Sequence, residues 1–344
     1  MPSNPGRRAL SIRPLIRWGG PLLLLLVVFA LRTLGDRWWP LLPLLFGPRW
    51  LLTPLALTPL LAFRRGAGRT TLVALALGVI AAAMLVDFRT GWRRLIPGGS
   101  GTPLRVVAWN AQGGGSDAGG NALRLAQLRP DLIVISECSP RFEAALRELL
   151  EMELYRSSGL CIVTALPRVE WAPRSPEDFW RMGGSGAIAR LVVNVAGTET
   201  VIGAVHLETP RDALDELELF PIGQFRNAAI SNQEQRDLES ETARTWIAPP
   251  HEEVRPLIVA GDFNIPVESA IYKRWWGDLD NALSQTGTGL GWTKRTRLFG
   301  VRIDHVLTDN GIVTKSAYLG PAMGSDHRPV VVDLLIPQGI SSFE

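Results

Sequence analysis

The sequence predicts a layered α/β domain preceded by an all-helical region that spans a membrane. Three observations carry this. Charge divides the 344 residues unevenly: the first 101 hold 13 arginines, no lysine and only two acids, Asp36 and Asp87. Residues 102–344 hold 23 basic and 31 acidic residues, so the net +3 is the sum of +11 and −8. Long apolar stretches are confined to the first part, whereas the second alternates short apolar runs with amphipathic ones. Polar residues then recur where those apolar runs end.

The N-terminal region reads as three spans. Gly19–Leu31 contains PLLLLLVVFAL, Trp38–Phe63 is apolar but broken by prolines, and Thr70–Val86 reads TTLVALALGVIAAAMLV. A spanning helix needs about 20 apolar residues. The third stretch meets this most simply, the first does so if Ile16–Trp18 joins it with Arg17 snorkelling, and the second spans with a kink or turns back. Two spans are the alternative. Arg7, Arg8, Arg13 and Arg17 precede the first stretch, and Arg64, Arg65 and Arg69 lie between the second and third. The excess of positive charge on cytoplasmic loops places both groups inside, and three spans then deliver the rest of the chain to the outer side of an inner (plasma) membrane. Arg89, Arg93 and Arg94 oppose this mildly. The expected organisation is a transmembrane region over 1–95, a linker over 96–103 rich in Gly and Pro, and a folded domain over 104–338.

Within that domain, LRVVAWNAQ reads as a strand ending at Asn110, NALRLAQLRP as a short helix, and DLIVISE as a buried strand ending at Glu137. SPRFEAALRELL is a helix capped by Ser139, with Pro140 at its first position. GLCIVTA, GAIARLVVNV and TVIGAVHLE follow as strands, the last carrying His206. Residues 224–247 form a long polar helix, and PLIVAGDFN, RIDHVLTD and HRPVVVDLLI close the series. Asn110, Glu137, His206, Asp262 and Asn264 thus stand at or just beyond the C-terminal ends of apolar strands, where layered α/β folds gather their sites. Asp304 lies inside RIDHV, and Asp326 with His327 precedes the last strand. A single such residue is ordinary turn chemistry; five at one relative position are not.

These stretches, VVAWNAQ, DLIVISE, AVHLETP, GDFNIP, RIDHVL and GSDHRPVVVDL, resemble in order the endonuclease/exonuclease/phosphatase superfamily, over residues 104–336. The hydrophobic N-terminus is similar to that of membrane-anchored bacterial members. The resemblance implies a four-layer αββα sandwich of the deoxyribonuclease I type, and hydrolysis of a phosphoester with a divalent metal, magnesium first and manganese as the alternative. It implies Glu137, Asn110 and Asp326 as metal-site residues, Asp262 and Asn264 as the pair handling water and phosphate, His206 as a catalytic histidine, and Asp304 as the partner of His327. Two departures count against an abasic-site nuclease: Gln112 stands where an aspartate is expected, and Ser157 where a tyrosine is.

The chemistry suits the residue types. In-line attack on a phosphoester is promoted mainly by positioning and by stabilising charge on phosphoryl oxygens. Magnesium takes oxygen ligands through one or two carboxylates, and no Cys–His cluster at zinc spacing is present. The expected activity is a membrane-anchored metal-dependent phosphoesterase, held to the bilayer by its N-terminal helices, with no protein partner inferable. A non-catalytic scaffold on the same fold is the alternative. Lipid headgroup diesters, nucleic acid and small phosphate esters remain open as substrates, although the acidic balance of 102–344 lacks the broad basic footprint of a strong DNA binder. His305 and His251 read as structural, Trp275, Trp276 and Trp292 as packing, Gly113–Gly115 as a flexible loop, and Cys138 and Cys161 as free buried thiols, with a disulfide between them as the alternative in an oxidising compartment.

Overall fold

The computed structural model describes residues 12–62, 68–95, 98–219, 222–309 and 311–338. The chain forms two compact units, one of Met1–Thr33 and Pro48–Phe88, the other of Leu34–Gly47 and Arg89–Glu344. Arg7, Arg8, Arg64 and Arg65, used above for orientation, lie outside the described residues, as do Phe63 and the first two residues of the 96–103 linker.

In the smaller unit, α1 (Arg13–Thr33) and α2 (Gly68–Leu85) are long and apolar enough to cross a membrane. Leu22, Leu23, Leu26 and Phe29 of α1 and Leu72, Val73, Val79 and Ile80 of α2 are exposed. Bare apolar surface of that extent is what a helix crossing a bilayer presents to lipid. Arg17 is part of α1, and its guanidinium donates to Thr70 Oγ1 at 2.9 Å and to the Ala62 carbonyl at 3.3 Å. The middle apolar stretch is not a continuous helix. Its prolines break it into Trp39–Leu41, Leu42–Phe46, Arg49–Leu57 and Thr58–Leu61, the first and third of them 3-10 turns. The described residues therefore hold two candidate spans, or three if the bent pair Trp39–Phe46 and Arg49–Leu61 counts as one.

The larger unit is built on two six-stranded sheets. The first contains β1 (Thr102–Asn110), β2 (Leu132–Ser136), β3 (Glu153–Ser157), β4 (Leu160–Thr164), β11 (Val313–Leu319) and β12 (Val330–Ile336), in the order β11-β12-β1-β2-β4-β3. The second contains β5 (Arg168–Pro173), β6 (Ala187–Val195), β7 (Thr198–His206), β8 (Leu257–Asp262), β9 (Asp280–Asn281) and β10 (Asp304–Thr308), in the order β9-β10-β8-β7-β6-β5. Each sheet is mixed, with one parallel pair, β1 with β2 and β7 with β8.

Alternation along the strands sorts the side chains into three apolar layers. Val106, Ala108, Leu132, Val134, Ile202, Ala204, Ile258, Ala260 and Val306 face the seam between the sheets. Their sequence neighbours Val107, Trp109, Ile133 and Ile135 pack outward beneath the helices Ala118–Gln127 and Pro140–Leu149. On the far side, Val205, Val259 and Leu307 pack with Ala243 and Ile247 of the helix Ile222–Ile247. This is the expected four-layer αββα sandwich. Ser139 caps its helix as expected, its Oγ accepting the Phe142 N–H at 3.1 Å. The edge strand β5 and the short helix Pro176–Arg181 were not anticipated from the sequence.

Two expectations are corrected. Cys138 and Cys161 form a disulfide, with Cα atoms 5.8 Å apart, so they are not free thiols. Cys161 faces Ile135 across the β2–β4 pairing, and Cys138 follows three residues after Ile135, which brings the sulfurs together outside the sheet. Gly113–Gly115 is not a loose loop: the Gly113 N–H donates to the Glu137 carbonyl at 2.8 Å, and its carbonyl accepts Ser139 Oγ at 2.6 Å.

Candidate active site

The period of two that fills the seam also delivers the site. Asn110 continues the inward series of Val106 and Ala108, Asp262 that of Ile258 and Ala260, and His206 that of Ile202 and Ala204. Register aligns them: His206 is level with Asp262 in the parallel pair, and Asp304 is level with Asp262 in the antiparallel one. Asp262 is thus flanked by His206 on one side and Asp304 on the other. Ser136 ties the sheets together there, its Oγ donating to the Val205 carbonyl at 3.2 Å and accepting the Asp262 N–H at 3.3 Å.

Asn110 bridges the carboxylates, its amide nitrogen lying 2.8 Å from Glu137 Oε1 and 2.9 Å from Asp262 Oδ2. Its side-chain oxygen accepts the Gln112 N–H at 3.1 Å. Rotation about the terminal torsion exchanges these two ends. His206 Nε2 stands 3.9 Å from Glu137 and 4.0 Å from Asp262. Asn264 is buried and held on every side: its N–H donates to Asp262 Oδ1 at 2.9 Å, and its amide nitrogen donates to the Leu207 carbonyl at 2.8 Å.

His327 is fully buried, its Nδ1–H donating to Asp304 at 2.8 Å. Its Nε2 lies 3.8 Å from Asp262 Oδ2 and 3.6 Å from Asp326 Oδ1, and neither Nε2 nor Asp326 Oδ1 has a hydrogen-bond partner among the described residues. Burial alone lowers the imidazole pKa, but the charges of Asp304 and Asp262 outweigh it and push the value up to about 9. For Asp262, burial raises the pKa, yet His327, His206 and the bonds from Asn110 and Asn264 together hold it below the usual carboxylate range. Burial and the charge of Asp262 push Asp304 up. Asp304 holds Nδ1–H, and the carboxylate of Asp262 facing the other ring nitrogen favours the charged form of the ring. The loop bearing Asp326 is fastened by Ser325 Oγ, which donates to the Asn110 carbonyl, and by Gln112, whose side-chain oxygen accepts the Asp326 N–H. Lys294 Nζ lies 3.8 Å from Asp326 Oδ2.

Glu137, Gln112 and Asn264 all have positive φ, at 53°, 44° and 52°. Left-handed backbone at non-glycine residues is costly and collects where surrounding structure must aim a group. Asp262, Asp304 and His327 offer ligand atoms within 4.8 Å of one another and could hold a cation. The oxygen-rich mouth formed by Glu137, Asp262 and Asn110 is also suited to a hard divalent ion.

All eight residues expected from the sequence converge here. His305 points to the opposite face, where burial lowers its pKa to about 3 and its ring contacts Phe263 and Tyr272. His251 is exposed in a turn, and Trp276 is buried against Phe263. Ser136 and Thr293 are contributors that sequence reasoning passed over, and Gln112, read there only as a departure, holds the Asp326 loop; Thr293 Oγ1 accepts the Asp304 N–H at 3.0 Å. So is Arg236, whose Nη2 donates to the Asn264 carbonyl at 3.1 Å. Ser136 carried a weak signal, as a hydroxyl at the inward position before Glu137.

A two-sheet sandwich with paired carboxylates and a histidine–aspartate dyad at its strand ends defines a hydrolase of phosphoester bonds. The sequence profile of the Endonuclease/Exonuclease/phosphatase family matches residues 107–327, and the chain belongs to that family. Its fold is similar to an endonuclease/exonuclease/phosphatase from Beutenbergia cavernae, at 19% identity and a TM-score of 0.50, over 69% of this chain and 72% of that one. It is also similar to a humanized D. rerio TDP2, at 16% identity and a TM-score of 0.55, over 67% of this chain and 98% of that one. A truncated TDP2 from Caenorhabditis elegans is similar at 15% identity and a TM-score of 0.51, over 68% and 98%. At these identities the likeness is one of fold. No curated protein sequence matches the chain.

Proposed function

We propose that the protein is a membrane-anchored, divalent-metal-dependent phosphoesterase that hydrolyses a phosphodiester or phosphomonoester by in-line attack of water. The observation that carries this reading is the buried His327 ring, whose Nε2 has no hydrogen-bond partner among the described residues and lies between Asp262 and Asp326. An unpartnered buried donor is expensive, and a phosphoryl oxygen is the acceptor its charge suits best.

Glu137, Asn110 through its carbonyl, and Asp326 would hold the cation, magnesium or manganese. A bound divalent ion neutralises charge on the phosphoryl oxygens. Asp262, kept ionised, accepts the proton of the attacking water. Asn264 orients Asp262 through its N–H, His206 stands as the acid for the leaving oxygen, and Asp304 holds the His327 ring. The apolar faces of α1 and α2 support anchorage in a bilayer, and the acidic balance of the catalytic unit favours a lipid headgroup diester or small ester over nucleic acid. The Cys138–Cys161 disulfide supports an extracytoplasmic catalytic domain at the inner membrane, because such bonds persist where thiols are not kept reduced.

The test uses the full chain in detergent, stripped with a chelator and assayed against a lipid diester, an oligonucleotide and a small phosphate ester. Magnesium should restore turnover of one substrate class. Glu137→Gln should raise the magnesium requirement, and Asp262→Asn and His206→Ala should each lower the rate by at least about 100-fold. Chelator-resistant turnover would reject the metal assignment.

A further inference from the structure

Leu34–Gly47 lies between two apolar helical segments in sequence, yet it belongs to the same compact unit as the two sheets. Its fit there is specific. Asp36 is buried, accepting Ser269 Oγ at 2.6 Å and the Ala270 N–H at 2.8 Å. Arg236, fully buried in the helix Ile222–Ile247, places Nη1 3.6 Å from Asp36 and its guanidinium 5.2 Å from the Phe46 ring. Trp39 packs edge-on against Phe225 of the same helix at 5.7 Å. Gly35 has a φ of +53°, and a Cβ there would stand 2.8 Å from the Ala270 nitrogen. The segment is seated too closely to carry a side chain at that point.

The other end of Arg236 reaches the catalytic loop. Its Nη2–H donates to the carbonyl of Asn264, the residue whose N–H orients Asp262 and whose backbone is held at a φ of 52°. A guanidinium stripped of water needs a counter-charge, and burial drives its pKa down while Asp36 first, then Glu208 and Glu239, oppose this. Asp36 is the largest of the three and the one that lies outside the family-matched residues 107–327.

We propose that Asp36 and Arg236 are positioning residues for catalysis: the segment between the apolar helices fixes Arg236, and Arg236 fixes the left-handed Asn264 turn that aims Asp262. The proposal rests on the phosphoesterase reading above. It makes the segment following the first membrane helix part of the active-site frame rather than a connector.

Stability and positioning are separable, because removing one partner leaves a buried charge alone whereas replacing both with apolar residues does not. The test compares full-length wild type with Asp36→Leu, Arg236→Met and the Asp36→Leu/Arg236→Met double variant, each measured for thermal midpoint, kcat and KM. The single variants should lose thermal stability, and the double variant should recover part of it, the remainder being the unpaired Ser269, Ala270 and Asn264 groups. Its kcat should nevertheless stay about 10- to 100-fold below wild type, with KM within about twofold, since the Asn264 carbonyl has lost its donor. Arg236→Lys should give intermediate kcat. A double variant that regains stability and keeps wild-type kcat overturns the proposal, as does one whose loss lies wholly in KM. Asp262→Asn is the control for the underlying reading: if it keeps full activity, the site assignment fails instead.

Discussion

At the scale of single residues, the site is governed by how little solvent reaches its charges. His327 and Asp304 are buried side by side, and a second carboxylate, Asp262, faces the ring. Because the folded pKa of about 9 lies above the ordinary value near 6.5, the imidazolium's contribution to stability is fully present below about pH 6.5. It is lost as pH rises through about 9. In chelator-treated full-length protein, the His327 ring should stay protonated at pH 8 by NMR. Asp304→Asn should move its titration downward, since the strongest attraction is then gone. A ring that titrates below 7 in the wild type would show that burial, not the carboxylates, sets its charge. His305, one residue from Asp304, shows the opposite balance: burial and Arg302 keep it neutral, with its Nε2 bonded to the Ile265 carbonyl at 2.8 Å.

At the scale of elements, the site follows from alternation meeting register. Asp262 faces inward by that alternation, and Gly261 beside it takes a φ of +138° with its α-carbon against the neighbouring strand; a Cβ there would stand 2.0 Å from the Val205 carbonyl oxygen. Gly261→Ala should therefore cost at least about 3 kcal/mol, from backbone strain together with the clash. The denaturant midpoint measures it, and an unchanged midpoint would mean that β7 and β8 can part without loss. This alternation was legible in the sequence, and so were the eight residues that it and the following turns bring together. Residues that act from a distance were not. Arg236 lies in a polar helix among Gln, Glu and Asp, where an arginine ordinarily faces water. Asp36 is one acid in an apolar stretch, and nothing local ties it to a helix 200 positions on. The disulfide was half legible: neighbouring strands could bring the two cysteines together, but Cys161 reads as one more apolar strand residue until its pairing with Ile135 is known.

At the scale of the whole molecule, chain continuity constrains which side of a membrane the catalytic unit occupies. The chain passes into that unit after Thr33, at the end of α1, and again after Phe88, shortly beyond α2. If both helices span, the N-terminus and the start of α2 share the opposite side, and the chain must cross once more between Gly47 and Gly68. Arg49–Leu61, nine residues of 3-10 helix and four of α-helix, extends about 24 Å, most of the roughly 30 Å hydrocarbon thickness. On the proposed reading the chain crosses three times, with Arg13, Arg17 and Arg69 on the cytoplasmic side and the catalytic unit outside. A reporter fused after Glu344 should therefore be active outside the cytoplasm, and protease added to intact spheroplasts should cut the catalytic unit. Cys138 and Cys161 give an independent readout: thiol labelling of denatured, unreduced protein should find both blocked, and Cys138→Ser should leave Cys161 reactive. A C-terminus inside the cytoplasm with both thiols free would overturn the topology and return nucleic acid and soluble cytoplasmic esters to the front as substrates.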